Sequence, residues 1–498
     1  MRTLLLGLAM LAVRAQDYDQ AYRPQVHFSP HHNWTNDPNG LVYFEGEYHL
    51  FFQYNPFGDR WGHMSWGHAV SRDLIHWREL PVALPEENGV MIFTGSTVVD
   101  DRNTSGFCTG GKPCLVAVYT GHTPKAGSHP ALQTQNLAYS NDRGRTWTKF
   151  SGNPVLNLNL PDFRDPGVFW SAQAKRWIMA VALPGDHRVP FYGSSDLKHW
   201  DLVSEFGPAG ATGGDWECPT LFEAPIEGEN GATRWVLKVG LNPGGLQGGS
   251  GEQYFIGIFD GNRFVNQNPA SQTLWTDYGK DCYCALTFNG LANGDKKPVM
   301  LGWMNNWQYA NQVPTSPWRG QMTIPRQLAL RKYPEGLRLV QQPVVRHSAS
   351  RTKRLQLHLP ALRAPFEIRA TMGLGAADEI GWKLLGSDGT ATTVGYDIKR
   401  QELFVDRTHS GAVDFSPDFP ARTSVRLAVS GSLQLDILVD RSSVEVFAQR
   451  GQVAMTNLVF PPGGTRTAEF YSRGGKPGPI TGDFWSLDSI WGDKLQLE

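Results

Sequence analysis

Ser71-Arg72-Asp73, running on to Trp77, is met again as Ser140-Asn141-Asp142-Arg143-Gly144-Arg145-Thr146-Trp147 and as Ser194-Ser195-Asp196, running on to Trp200. In each copy an apolar strand enters, a polar Ser-x-Asp turn follows, and a Trp closes the start of the next strand. Phe259-Asp260-Gly261-Asn262-Arg263-Phe264 reads as a degenerate fourth copy. Turn residues are common, so one copy alone would mean nothing. Three copies with the same flanking Trp mark a supersecondary unit. A unit recurring every several tens of residues, each about four strands long, is the sequence signature of propeller blades.

Outward from these turns the chain reads as all-β. No long helical periodicity is present after Asp17; short Val/Ile/Tyr/Phe/Trp-rich runs recur between Gly, Pro, Asn and Asp turns. Gly40-Leu41-Val42-Tyr43-Phe44, then Glu45-Gly46-Glu47, then Tyr48-His49-Leu50-Phe51-Phe52-Gln53-Tyr54 spell a hairpin with a short Gly-containing loop. The repeat fades after Pro334. The expected organisation is a β-propeller over 20–338, a linker over 339–352 and a C-terminal domain over 353–498. Alternating runs such as 433–440 and 443–447 predict that this last domain is a β-sandwich of about nine or ten strands. No acidic residue in it stands in a catalytic context, so structural support is the simplest role for it.

Bulk properties exclude several classes. At 498 residues the chain exceeds one ordinary domain. Lys+Arg 46 against Asp+Glu 47 gives a formal charge of -1, which removes the electrostatic basis for a nucleic-acid partner. The 17 Trp are expected mainly in strand packing, with a few available to stack on sugar faces. Residues 1–15 read as a secretory signal peptide: Arg2 is the positive end, 4–13 a short apolar core, and Val13-Arg14-Ala15 a small-residue cleavage pattern. That core is too short to span a bilayer and no later run is longer, so a secreted or periplasmic protein with no membrane partner is expected.

Among the five cysteines, Cys108 and Cys114 bracket Thr109-Gly110-Gly111-Lys112-Pro113 and could pair. Cys282 and Cys284 are two apart on an expected strand and point the same way, which argues against a mutual bridge. Cys218 is expected to be buried and inert, and the odd count leaves at least one thiol free. No Cys/His cluster has zinc-ligand spacing, so neither a metal nor a cofactor is expected. Nothing here sets the oligomeric state.

Chemistry enters with three acidic motifs: Trp34-Thr35-Asn36-Asp37-Pro38-Asn39-Gly40, Phe163-Arg164-Asp165-Pro166 and Glu217-Cys218-Pro219. Each has a bland reading: a turn at Asp37-Pro38-Asn39-Gly40, a surface ion pair at Arg164-Asp165, a solvated Glu217. Together they suit sugar-bond hydrolysis, which needs a pair of carboxylates held in one pocket. A propeller brings the start of every blade's innermost strand to one central funnel, so distant acids become neighbours. Crowding then drives their pKa values apart, keeping one protonated as acid and another ionised as nucleophile. Asp37 is assigned as nucleophile and Glu217 as general acid/base, with Asp165 and the adjacent Arg164 holding the sugar ring.

These motifs, with Gln53-Tyr54-Asn55-Pro56, Trp66-Gly67-His68-Ala69, Phe93-Thr94-Gly95-Ser96, Gly302-Trp303-Met304-Asn305-Asn306-Trp307 and Trp318-Arg319-Gly320, resemble the successive signatures of glycoside hydrolase family 32. The resemblance spans nearly the whole mature chain. It implies a five-bladed propeller with a C-terminal β-sandwich and retaining cleavage of terminal β-D-fructofuranosides. It also implies catalytic Asp37, Asp165 and Glu217, the second as transition-state stabiliser. Asn36, Gln53, Trp61, Phe93, Thr94, Arg164 and Trp307 would line the fructose pocket. Thr35 stands where Met is more usual and Thr94 where Ser is; a hydroxyl is retained in the second case. The runs 113–120 and 133–140 look more like the exo-inulinase and levanase branch than the plant invertases, so fructans (inulin, levan) and sucrose are the expected substrates.

Three rivals remain at this level. An invertase or fructosyltransferase shares the first half-reaction. A sialidase would explain the Asp turn at 140–147, but no convincing set of its tyrosine nucleophile and arginine cluster is found. A non-catalytic fructan-binding protein would not need all three acids.

Overall fold

The Ser-x-Asp segments form turns between the third and fourth strands of successive sheets. In the first, Ser71 Oγ donates to Asp73 Oδ1, which also accepts the Ile75 and His76 N–H groups at 3.0 and 2.9 Å. Asp196 does the same with the Lys198 and His199 N–H groups at 2.9 Å, and Asp142 takes Thr146 N–H at 2.9 Å. The following Trp is tied back by its indole: Trp77, Trp147 and Trp200 donate Nε1–H to the carbonyls of Leu74, Gly144 and Leu197. The side-chain carboxylate thus satisfies the turn's own backbone donors. The degenerate fourth copy behaves alike, with Asp260 accepting from Asn262 and Arg263.

The structure is a computed structural model and describes residues 18–491 apart from 296, 345–351, 355 and 464. The expected signal peptide, residues 1–15, lies outside them. Five antiparallel sheets follow one another, beginning with the strands Asn33–Phe44, Met91–Asp100, Arg164–Ser171, Asp215–Pro225 and Tyr283–Thr287. These first strands neighbour one another in cyclic order, the fifth returning to the first, so the sheets form a ring. The strand Trp318–Arg319 pairs in parallel with Asn33 and Trp34 and laces the end of the ring to its beginning. The hairpin expected around Glu45-Gly46 is present: Phe44 faces Glu47, and both turn residues have positive φ (45 and 87°), the hallmark of a two-residue primed turn.

Two six-stranded antiparallel sheets complete the all-β propeller-and-sandwich architecture. That is more strands than the nine or ten expected; short strands such as His358–Arg363 carry too little alternation to be read from sequence. Ile368, Trp382, Val394, Ile437, Val446 and Met455 fill the space between the two sheets. The stretch expected as linker begins inside the strand Gly336–Pro343, and its centre, 345–351, lies outside the described residues.

A buried ionic seam joins ring and sandwich. Arg326 pairs with Asp277 at 2.8 Å and with Glu445 at 2.5 Å. His27 lies between Glu445 and Asp440, 2.8 Å from each, and Arg407 pairs with Asp281. Burial opposes charge on His27, but its hydrogen bonds to Asp440 and Glu445 and their charges outweigh it and raise its pKa to about 9. Burial likewise pushes Asp440 and Glu445 upward. The His27 contacts at Asp440, and the Arg326 and His27 contacts at Glu445, override it and hold both below the usual range.

Candidate active site

All five innermost strands are irregular near their starts, where they face the axis. Their pairing with the next strand slips between Thr35 and Pro38, Ile92 and Gly95, Arg164 and Gly167, Glu217 and Thr220, and Tyr283 and Leu286. Such bulges re-aim side chains and are frequent beside active sites. Asp37, Thr94, Asp165, Cys218 and Cys284 lie inside the slips, and Glu217 and Tyr283 are the last regularly paired residues before theirs. Pro166 and Pro219 suit these places because a bulge leaves a residue without a ladder bond and Pro has no N–H to satisfy, and Pro38 stands where pairing resumes opposite Phe52. Asp165, Cys218 and Cys284 take left-handed backbone (φ 65, 51 and 43°), a strain that non-glycine residues carry mainly at functional sites.

The ring brings the three sequence-predicted acids into one cluster. Asp37 Oδ2 accepts the Thr94 hydroxyl at 2.8 Å, while Oδ1 is enclosed with no hydrogen-bond partner. Burial, then the charges of Asp165 and Glu217, raise the Asp37 pKa to about 8, against the pull of hydrogen bonds from Thr94 and Asn36. Asp165 Oδ2 accepts the Cys218 N–H at 2.9 Å. Its pKa rises to about 7 through burial, with Arg164 opposing and Glu217 adding to the rise. Glu217 is the best-partnered acid. Oε1 accepts Arg164 Nε and Nη2 at 3.1 and 2.9 Å, and Oε2 accepts the Tyr283 hydroxyl. Arg164 reaches onward to Asp162 at 2.8 Å. Asp37 and Asp165 thus hold their protons well above the ordinary carboxylate range.

Of the expected wall residues, Thr94, Asn36 and Arg164 touch the acids directly, and the others are placed by contacts with neighbouring side chains. Asn36 accepts the Trp34 indole at 2.7 Å, which fixes its amide beside Asp37. The amides of Gln53 and Asn39 meet at 3.1 Å. Trp307 stacks over Trp34 (centroids 5.9 Å, 27°) and packs on Trp303. Trp61, 41% exposed, meets Phe93 edge-on at 6.1 Å and so stands at the rim. Phe93 stacks on His122 at 4.5 Å and 9°.

Sequence reasoning missed two features. Tyr283, the partner of Glu217, starts the fifth innermost strand at the position Glu217 holds on the fourth; comparing blade starts would have found it. Cys218, expected to be inert, is disulfide-bonded to Cys284. The expectation failed because the two residues become neighbours only when adjacent sheets pack in the ring. Cys282 and Cys284 do not pair with each other, Cys108 pairs with Cys114, and Cys282 is the buried free thiol. The Cys218 and Cys284 sulfurs and an Asp37 oxygen lie within 4.8 Å of one another; being bonded to each other, the sulfurs are not thiolate ligands for a metal.

Three crowded carboxyls, one steadied by an arginine, thus lie together on the axis of the β-ring, and comparison with known proteins makes the chain a glycoside hydrolase. The chain belongs to glycosyl hydrolases family 32: the family's N-terminal domain profile matches residues 27–343 and its C-terminal profile 335–486. A levanase of Bacillus subtilis is 46% identical over 99% of this chain and 74% of its own length. An extracellular exo-inulinase of Aspergillus awamori is 41% identical over 98% and 99%. The crystal structure of exo-inulinase from Aspergillus awamori superposes with a TM-score of 0.89 at 40% identity, covering 95% of this chain and 100% of that one. No helix among the described residues is long and apolar enough to cross a membrane.

Proposed function

We propose that this glycoside hydrolase is an exported, exo-acting β-fructofuranosidase. It would remove terminal β-D-fructofuranosyl units from fructans and sucrose with retention of configuration. The carrying observation is the single cluster of Asp37, Asp165 and Glu217 with Arg164 on the Glu217 carboxylate. The levanase and exo-inulinase relatives support the choice of fructoside. The sialidase reading loses its motive, since the Asp turns join outer strands away from the axis.

In this account Asp37 attacks C2 of the fructosyl unit as Glu217 protonates the departing glycosidic oxygen, leaving a fructosyl ester on Asp37. Glu217 then takes a proton from water as its oxygen attacks C2, and Asp37 is released. Asp165 and Arg164 hold the ring hydroxyls. Burial and the neighbouring acidic charges favour a proton on Asp37, while the Glu217 carboxylate accepts from Arg164 and Tyr283. With a sugar in place, positive charge growing at C2 favours ionised Asp37, and the leaving oxygen draws the proton to Glu217. Crowding thus supplies the acid that the first step consumes.

The test is a time course of sugars released from inulin, levan and sucrose by the purified protein. Monomeric fructose from the outset supports exo hydrolysis. Oligosaccharides appearing first would refute exo action, and lengthening fructans would establish a transferase instead.

A further inference from the structure

The Cys218–Cys284 disulfide joins the two strands that carry Glu217 and its tyrosine partner, one residue beyond each. Cys218 also supplies the N–H that Asp165 accepts at 2.9 Å, and the sulfurs lie against the Asp37 carboxylate. Opposite Glu217 in the sheet stands Gly240, and a Cβ there would lie 3.0 Å from the Tyr283 ring. The absent side chain is what lets that ring lie against the Glu217 strand. Both cysteines sit in left-handed backbone, each within a slip in its own sheet, and their two strands belong to different sheets with no backbone ladder between them. A covalent link there fixes a spacing that no hydrogen-bond ladder sets.

We propose that this disulfide is a positioning element for the acid/base residue. It holds the Tyr283 strand on the Glu217 strand so that Tyr283 and Arg164 together aim Glu217 at the leaving oxygen. The inference rests on the reading of Glu217 as acid/base and adds to it a dependence on a bond in the neighbouring sheet. The Cys108–Cys114 bridge, at the far ends of its strands (Asp100 faces Cys114), has no such role and serves as control.

The readout compares kcat/KM on sucrose, whose leaving oxygen needs a proton, with kcat/KM on a nitrophenyl β-fructofuranoside, whose leaving group does not. General acid assistance contributes about 10²–10⁴-fold, so a misaimed Glu217 costs sucrose turnover selectively. C218A/C284A is expected to lose about tenfold or more of kcat/KM on sucrose beyond any loss on the aryl fructoside. C108A/C114A is expected to keep the wild-type ratio. Should the double variant not fold, the C108A/C114A protein is treated with a phosphine, which turns the remaining S–S bond into two thiols as it becomes phosphine oxide. The same ratio is then read before and after reoxidation. Equal losses on both substrates, or an unchanged ratio, would overturn the proposal. E217Q on the same pair separates the two levels: if it too shows equal losses, the acid/base reading itself is wrong.

Discussion

Two groups of buried carboxylates lie in this molecule, and they are built on opposite electrostatic plans. In the seam between ring and sandwich, Asp277, Asp281, Asp440 and Glu445 face Arg326, Arg407 and His27, and Asp440 and Glu445 are held below the usual range. At the axis, three carboxyls crowd together with Arg164 paired to Glu217, and Asp37 and Asp165 are pushed up to about 8 and about 7. Similar burial therefore yields ionised, paired acids in one place and proton-holding, under-partnered acids in the other. The first arrangement locks two domains together. The second stores unfavourable energy that chemistry can draw on.

The largest expected effect separates the two plans outright. Asp37→Asn and Glu217→Gln should each lower kcat on sucrose by about 10³-fold or more. Asp37→Asn should leave Tm at neutral pH unchanged, since Asp37 already holds its proton there, and should raise it only above about pH 8, where the wild-type carboxyl would ionise among its neighbours. A marked fall in Tm would place Asp37 with the seam acids and break the contrast. Arg326→Met is the converse case. Leaving Asp277 and Glu445 buried without their partner should cost about 3–5 kcal/mol of unfolding free energy by denaturant titration, with kcat/KM of the folded fraction unchanged.

The pH dependences should part as well. Activity needs a proton in the axial cluster, so it should fade as pH rises through about 7 to 8, where Asp165 and Asp37 release theirs. The folded pKa of His27, about 9, lies above its ordinary 6.5. Its contribution to stability is therefore fully present below 6.5 and is lost as pH rises through 9. Asp440 and Glu445 have lowered values, so their contribution is present above the usual carboxylate range and is lost on acidification. Activity should thus be gone on the alkaline side while part of the His27 contribution to Tm, which declines between 6.5 and 9, is still present. Coincident losses in rate and Tm would contradict this.

Smaller effects sharpen the picture. Thr94→Val removes the hydroxyl on Asp37 Oδ2 and should cost about 1–2 kcal/mol in transition-state free energy, read from kcat/KM. Asp73→Ala in an outer turn should cost about 1 kcal/mol of stability, measured by denaturant unfolding, with no change in rate.

What the sequence revealed follows the range of the forces involved. The Asp turns and the Glu45-Gly46 hairpin are set by neighbours a few residues away, so their chemistry is written locally. The three acids were legible because Asp37 and Asp165 directly precede a proline and Glu217 stands two residues before one, in short motifs that can be read locally. Tyr283 and the Cys218–Cys284 bond were not, since both depend on the fourth and fifth sheets meeting in the ring. The seam was not legible either. His27 and Asp277 are single charges in loops and Arg326 and Glu445 single charges in strands, and only the packing of two domains reveals them as partners.

The central claim is that Asp37 and Glu217 act on the same fructosyl unit through a double displacement. Turning over sucrose in aqueous methanol and identifying the methyl fructoside by NMR tests this directly, because the methyl glycoside preserves the configuration the enzyme gives it. The account predicts methyl β-D-fructofuranoside; accumulation of the α anomer would show a single displacement and contradict it.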